Sequence, residues 1–170
     1  MPKSTQTNFV RHNLSPKGEN TFMENNARKK SVEVLSEIYR NAHLALQSIS
    51  NILPAVENEE IKTELMRQHE EYERFSAKAA QLARDFDTEL KEPNPMKKMM
   101  MWGSIKISTL KDNSPSHIAD MMLQGTVMGI SALRTSAGDL PCENSDAVCQ
   151  LLQEMIKAEE EFEKIWKEHL

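Results

Sequence analysis

Apolar residues recur at alternating spacings of three and four along most of the chain after residue 30. This is the period of an α-helix with one buried face. Runs that alternate apolar and polar residues with a period of two, as in half-buried strands, do not occur in the sequence. The pattern predicts an all-α protein with helices at residues 31–53, about 57–86, 95–110, 115–137 and about 145–168.

The first two predicted helices have nearly continuous apolar inner faces, with Gln68 as the one polar exception. In the first helix the inner positions are Leu35, Ile38, Ala42, Ala45, Ile49 and Ile52. In the second they are Ile61, Leu65, Gln68, Tyr72, Phe75, Ala79, Leu82 and Phe86. Apolar faces of this kind indicate helices that pack against other helices.

The last two long helices show the same pattern, and the first of them is bounded by residues that are typical of helix starts and helix ends. Ser114 is a suitable N-cap followed by Pro115 at the first helical position, and Gly138 and Pro141 end that helix. The inner positions are Ile118, Met121, Met122, Gly125, Met128, Gly129 and Ala132, and then Val148, Leu151, Leu152, Met155, Ala158, Phe162, Ile165 and Trp166. Because the loops are short, we expect an up-and-down antiparallel four-helix bundle, with residues 95–110 as a short additional helix between two hairpins.

Short motifs occur in the second half of the chain at residues 101–103, 109–112, 116–122, 124–126 and 128–129, after a long predicted hairpin at Ser31–Phe86. In these motifs and in the layout of two hairpins, about residues 31–170 resemble a family of small bacterial ferritin-like four-helix bundles of unknown function. The resemblance implies the ferritin-like bundle fold. It implies no reaction, because a fold does not determine a function.

Charge divides the chain near residue 30. Residues 1–30 contain six bases and two acids, a net charge of +4, whereas the whole chain has a net charge of -5, which leaves -9 for residues 31–170. The first segment is polar and has no helical or strand period, so it is expected to be a disordered basic tail before a bundle of residues 31–170.

The composition of the chain also restricts where in the cell the protein is expected and which partners it is expected to bind. The uncharged apolar segment at residues 121–133, the candidate for a membrane span, is too short to cross a bilayer. With no signal peptide or transit peptide pattern, we expect a cytoplasmic protein in which Cys142 and Cys149 are reduced thiols, although their spacing permits a disulfide. A bundle with a charge of -9 is not expected to bind nucleic acid, and the acidic run at Glu159, Glu160, Glu161 and Glu163 is interpreted as a solvated face.

A di-iron centre of the ferritin-like type needs E-x-x-H motifs on two helices, and the sequence contains none. No cofactor is therefore predicted. Two pairs with one-turn spacing, His69 with Glu73 and His117 with Asp120, are candidates for binding iron or another divalent metal. The alternative is that these residues are ordinary solvated side chains.

Methionine and glycine mark a second candidate feature. Eleven methionines occur, with clusters at residues 96–101 and 121–128; thioethers select Cu(I), but Met also fills helical cores and adaptable interfaces. Gly103, Gly125 and Gly129 permit another helix to approach closely. The candidate packing or interface residues are Gly103, Met121, Met122, Gly125, Met128 and Gly129, and the partner helix belongs either to the same bundle or to a second subunit.

These features lead to two functional hypotheses. The first is a non-enzymatic bundle that binds another protein or a small ligand through its Met- and Gly-rich third and fourth helices. We expect this bundle to be a homo-oligomer, and an unidentified protein partner is possible. The second is a metal-binding or metal-storage bundle with atypical ligands drawn from His69, Glu73, His117 and Asp120.

Overall fold

The computed structural model describes residues 16–92, 112–138 and 146–170. These residues form four long helices and contain no strand, which confirms the all-α prediction. The helices are α1 (Pro16–Ile52), α2 (Glu59–Arg84), α3 (Pro115–Ala137) and α4 (Ala147–Glu168), and a 3-10 turn at Leu53–Ala55 follows α1.

The beginning of α1 differs from the predicted domain boundary. Residues 16–30 are helical and continue directly into the packed part of α1, whereas the sequence predicts a disordered tail up to residue 30. The Arg28 guanidinium donates a hydrogen bond to the Phe86 carbonyl oxygen at 2.6 Å and pairs with Asp87 at 3.2 Å. Extending an existing helix fixes one residue for each new hydrogen bond, so a segment without an apolar face can still be helical. Residues 1–15 lie outside the described residues.

The predicted start of α3 is confirmed, and α2 and α4 begin within two residues of their predicted starts, whereas α1 begins at Pro16 and not at residue 31. Ser114 accepts a hydrogen bond from the backbone N–H of His117 at 3.3 Å, and Asn58 accepts one from Ile61 at 3.0 Å. At the start of α4, the Asp146 side chain accepts from two backbone N–H groups. The predicted helix at residues 95–110, which includes Gly103 and the first methionine cluster, lies outside the described residues.

Contacts between helices define two antiparallel hairpins. In the first hairpin, Arg28 in the first half of α1 contacts Phe86 just beyond α2, and Ser50 near the end of α1 lies 3.5 Å from His69. In the second hairpin, Ser116 near the start of α3 donates a hydrogen bond to the carbonyl oxygen of Leu170 beyond the end of α4, and Arg134 near the end of α3 donates one to Glu160 further back on α4. The helices α3 and α4 are therefore antiparallel.

The order of helix directions differs from simple alternation. Asn113 reaches the Ala55 carbonyl oxygen at 3.4 Å, and Gly129 lies against Asn41, so α3 is antiparallel to α1. Since α2 is also antiparallel to α1, α2 and α3 are parallel. Glu92, which follows α2, and Asp112, which precedes α3, therefore lie at opposite ends of the bundle. The chain must cross the length of the bundle between them, and a short loop between neighbouring helices cannot do this.

The core contains the predicted inner faces of the four helices. All six predicted inner residues of α1 are buried, and the largest fully buried side chains include Tyr72, Phe75, Phe162 and Trp166. Within the described ranges, no helix is long and apolar enough to cross a membrane.

The cysteine prediction needs correction. Cys149 is disulfide-bonded, so the expectation of a reduced thiol is wrong at this residue. Cys142, the other cysteine of the sequence, lies outside the described residues. Spacing alone left both redox states open, and the compartment argument selected the wrong one.

Candidate functional site

The inner side of α3 accounts for most of the predicted packing residues. Met122, Gly125 and Gly129 are buried, and Met121 is half-buried. A Cβ atom added at Gly129 would lie 2.9 Å from Nδ2 of Asn41, which is closer than real Cβ contacts. Gly129 therefore makes room for α1 of the same chain, which supports the intramolecular alternative at this position.

The outer side of α3 carries an exposed row of residues that we name the α3 stripe. It consists of Asp120, Gln124, Val127, Ser131 and Arg134, at successive spacings of four, three, four and three. Val127 is 47% exposed, and so is Met128 beside it. Met128 was predicted on the inner face, and this placement is wrong. Thus two large apolar side chains face solvent on the same helix.

No charged residue occurs between Asp120 and Arg134 on α3. The outer faces of α2 and α4 differ from this surface because they carry charge pairs. The exposed side of α2 carries charge pairs such as Arg67 with Glu64, and α2 is joined to α4 by the pair of Lys78 with Glu154 at 3.2 Å. Helix α4 adds the pair of Lys167 with Glu163. Charged residues are depleted, and Met is enriched, in the cores of protein interfaces. The middle of α3 has this composition although it faces solvent.

A shallow groove borders the α3 stripe on the side of α4. Its volume is about 480 Å³, and it is lined by Val127, Ile130, Ser131, Arg134, Thr135 and Glu163. Arg134, which lines the groove, forms an ion pair with Glu160 of α4 at 2.5 Å. The surface thus combines an uncharged centre with charged groups at its edge, as in an interface with a polar rim.

A buried polar layer crosses the interior beneath this surface. The Tyr72 hydroxyl of α2 donates a hydrogen bond to Oε2 of Glu159 on α4 at 3.0 Å, and Tyr72 also bonds to Thr126 of α3. Glu159 is only 1% exposed, and Thr126 is 4% exposed. Three helices are therefore joined by hydrogen bonds that satisfy polar groups which would be costly to bury alone.

Burial dominates the acid–base behaviour of this layer. It raises the pKa of Glu159 to about 8, although the hydrogen bond from Tyr72 acts in the opposite direction. Burial and the neighbouring carboxylate also raise the pKa of Tyr72 well above its ordinary value. Desolvation disfavours the charged form of an acid, so Glu159 is held mainly as the neutral carboxylic acid at neutral pH.

The interpretation of Glu159 as part of a solvated acidic face is wrong. Its position contains a signal that points inward, because Met155, Glu159, Phe162 and Trp166 follow one another at spacings of four, three and four. The charged neighbours Glu160, Glu161 and Glu163 are half-buried or exposed. Because Glu159 occurs in a run of acidic residues, its inner-face spacing is easily overlooked in the sequence.

The polar residue predicted on the inner face of α2 is confirmed as buried. Gln68 is fully buried; its oxygen accepts a hydrogen bond from Nε1 of Trp166 at 3.2 Å, and its amide donates to Glu64 at 2.7 Å. This contact lies about one turn from Tyr72 on α2 and about two turns from Glu159 on α4. It adds a second hydrogen bond between the same two helices.

The metal-ligand candidates form one loose pair. Nδ1 of His69 lies 3.8 Å from Oε2 of Glu73, and both side chains are partly exposed. Asp120 is exposed and accepts a hydrogen bond from Gln124 at 2.8 Å, while His117 is half-buried in the first turn of α3. In the ranges 16–92, 112–138 and 146–170, no group of three or more His, Cys, Asp or Glu residues is placed to hold a metal ion.

Comparison with known proteins gives no relative: no protein-family model, curated protein or solved structure matches the chain. The proposals below therefore depend on this chain's own residues.

Proposed function

We propose that the protein is a non-enzymatic, ferritin-like helical bundle that works as a homo-oligomeric interaction protein through the outer side of α3. The observation that carries this proposal is the uncharged centre of that surface, where Val127 and Met128 are each 47% exposed. Burying apolar surface favours association by about 25 cal/mol per Å². Charges, which are costly to desolvate, lie only at the edges of the surface.

The ferritin-like part of the proposal is supported by the helix directions. Two antiparallel hairpins whose adjoining helices, α2 and α3, are parallel require one long crossover connection, and ferritin-like bundles have one such connection. Most of the inner positions that sequence patterning predicts for these helices lie in the core, with Met128 as an exception.

A metal-binding or metal-storage bundle is the alternative function. The contact between His69 and Glu73 at 3.8 Å is the observation in its favour. Elemental analysis of untagged protein distinguishes the two functions, because stoichiometric iron, manganese, zinc or copper would contradict the first proposal.

The sequence predicts a cytoplasmic location, whereas the Cys149 disulfide favours an oxidising compartment, since disulfides persist mainly there. Trapping free thiols during cell lysis, followed by mass analysis of the intact chain, tests this point. Two alkylated cysteines are expected for a cytoplasmic protein, and none for an oxidised one.

Light scattering over a range of concentrations tests the interaction surface. Val127→Glu places a charge at the centre of the α3 stripe and is expected to shift the protein towards the monomer. Met66→Glu is the matched control, because Met66 is 51% exposed on α2 among charged neighbours; this variant is expected to behave as the wild type. A wild-type protein that stays monomeric at high concentration would overturn the proposal.

A further inference from the structure

The α3 stripe has opposite charges at equal distances from its centre. Asp120 lies seven residues before Val127, and Arg134 lies seven residues after it. Seven residues are about two turns, or about 10.5 Å along the helix axis. Between the centre and the charges lie two uncharged polar side chains, Gln124 on one side and Ser131 on the other.

We propose that the partner at this surface is a second copy of the chain, with the two α3 helices antiparallel about a two-fold axis at Val127. This proposal rests on the proposed function and specifies its geometry. The axis sets Asp120 of each copy opposite Arg134 of the other, and Gln124 next to Ser131. The same patch then serves both copies, as a two-fold interface requires.

The charges favour this orientation over the parallel one. In a parallel pair of α3 helices, Asp120 would face Asp120 and Arg134 would face Arg134. Like charges directly opposite each other are destabilising, whereas opposite charges at such positions set partner orientation in helix pairs. The order of charges along α3 therefore selects the antiparallel dimer.

The contacts that these two residues make within the chain are compatible with the pairing. Asp120 accepts a hydrogen bond from Gln124 through Oδ2, and Arg134 uses Nη2 to bond Glu160. A guanidinium has five N–H donors and a carboxylate has two acceptor oxygens, so each group retains further capacity. Arg134 is exposed even with its Glu160 contact, with 61% of its side-chain surface accessible.

Charge reversal with complementary mixing tests the geometry in the full chain. Asp120→Arg gives a stripe with bases at both ends, and Arg134→Asp gives one with acids at both ends. Sedimentation equilibrium should show that each variant alone dimerises about tenfold more weakly than the wild type, since each dimer loses two exposed pairs and gains two repulsions. An equimolar mixture restores both opposite-charge contacts, and dimerisation should return to about the wild-type level.

Glu160→Gln is the control, because it removes the partner of Arg134 within the chain and leaves the proposed contact between copies. It should dimerise as the wild type does. Thermal unfolding of each variant shows whether the fold is retained, and the mixture provides a test that a folding defect cannot mimic.

The outcomes separate this inference from the proposed function. If Val127→Glu abolishes dimers but charge reversal has no effect, or if the mixture fails to restore dimers, the antiparallel arrangement is wrong and the α3 interface stands. If the wild type is monomeric at every concentration, both are wrong.

Discussion

Replacement of Glu159 by Gln removes a buried carboxyl group whose pKa is strongly raised in the folded protein. Gln has nearly the same shape, and its amide oxygen can accept the hydrogen bond that Tyr72 donates to Glu159. The variant therefore preserves packing and removes only the titration. Its stability relative to the wild type should depend on pH in a manner that the burial of Glu159 determines.

The direction follows from the proton that Glu159 retains on folding. The pKa of this carboxyl is about 8 in the folded protein, against an ordinary value of 4.5. Between these values the folded chain holds a proton that the unfolded chain has released, so the free energy of unfolding falls as pH rises. The contribution of Glu159 is most favourable below pH 4.5 and is lost progressively up to about pH 8.

The magnitude is large relative to ordinary protein stability. The two pKa values lie about 3.5 pH units apart, and each unit corresponds to 1.36 kcal/mol, so the contribution amounts to about 5 kcal/mol. This figure is an upper bound, because water entry around the ionised group reduces the penalty. Since domains are stable by about 5–15 kcal/mol, the wild type should be markedly less stable at pH 8.5 than at pH 5.

Urea unfolding of the wild type and Glu159→Gln at intervals from pH 4.5 to pH 8.5 measures this difference. Titration of the other carboxyl groups affects both proteins and cancels in the comparison. The Gln variant should gain stability relative to the wild type by several kcal/mol across this range. Two parallel pH profiles would refute the conclusion that Glu159 is buried as a neutral acid.

Two further substitutions test packing and capping in the same assay. Gly129→Ala should not gain the ~1 kcal/mol that Ala brings to a helix interior, because its Cβ would lie 2.9 Å from Asn41 Nδ2. In an Asn41→Ala background the same substitution should raise the free energy of unfolding by about 1 kcal/mol, and equal effects in both backgrounds would contradict the close contact. Asp146→Ala should cost about 1–2 kcal/mol, because the Asp146 side chain caps the N–H groups of Val148 and Cys149, whereas Asp146→Asn should cost little. If the Asn variant is as unstable as the Ala variant, the cap is not the cause.

Local chemistry made much of the fold predictable. Ser114, Pro115 and Gly138 delimit α3 in the structure as the sequence indicates, because capping depends on neighbouring backbone groups. The inner face of α2 is equally local in origin: Ile61, Leu65 and Gln68 are buried at the predicted spacing.

Features that depend on distant contacts were not predictable in the same way. The parallel arrangement of α2 and α3 is defined by contacts such as that of Asn113 with Ala55, which are 58 residues apart in the chain. The burial of Glu159 depends on Tyr72, 87 residues away. The helical state of residues 16–30 depends on α1 as a whole, since this segment has no apolar face of its own.

The α3 surface was predictable only in part. Sequence analysis selected Met128 and Gly129 together as packing or interface residues, but it could not separate the exposed residue from the buried one. The sequence indicates Asp120 as a metal-ligand candidate and gives no role to Arg134, because the row that they form is defined only when the inner side of α3 is known.

The central claim, that a second copy of the chain covers the outer side of α3, is tested most directly with methionine methyl groups. Met128 and Met66 are similarly exposed in the monomer, at 47% and 51%, and Met66 lies on α2. NMR spectra of methyl-labelled protein with a soluble paramagnetic agent report the accessibility of both groups in one sample. As protein concentration rises, the Met128 signal should become protected while the Met66 signal stays accessible; equal accessibility of both methyl groups at every concentration would contradict the account.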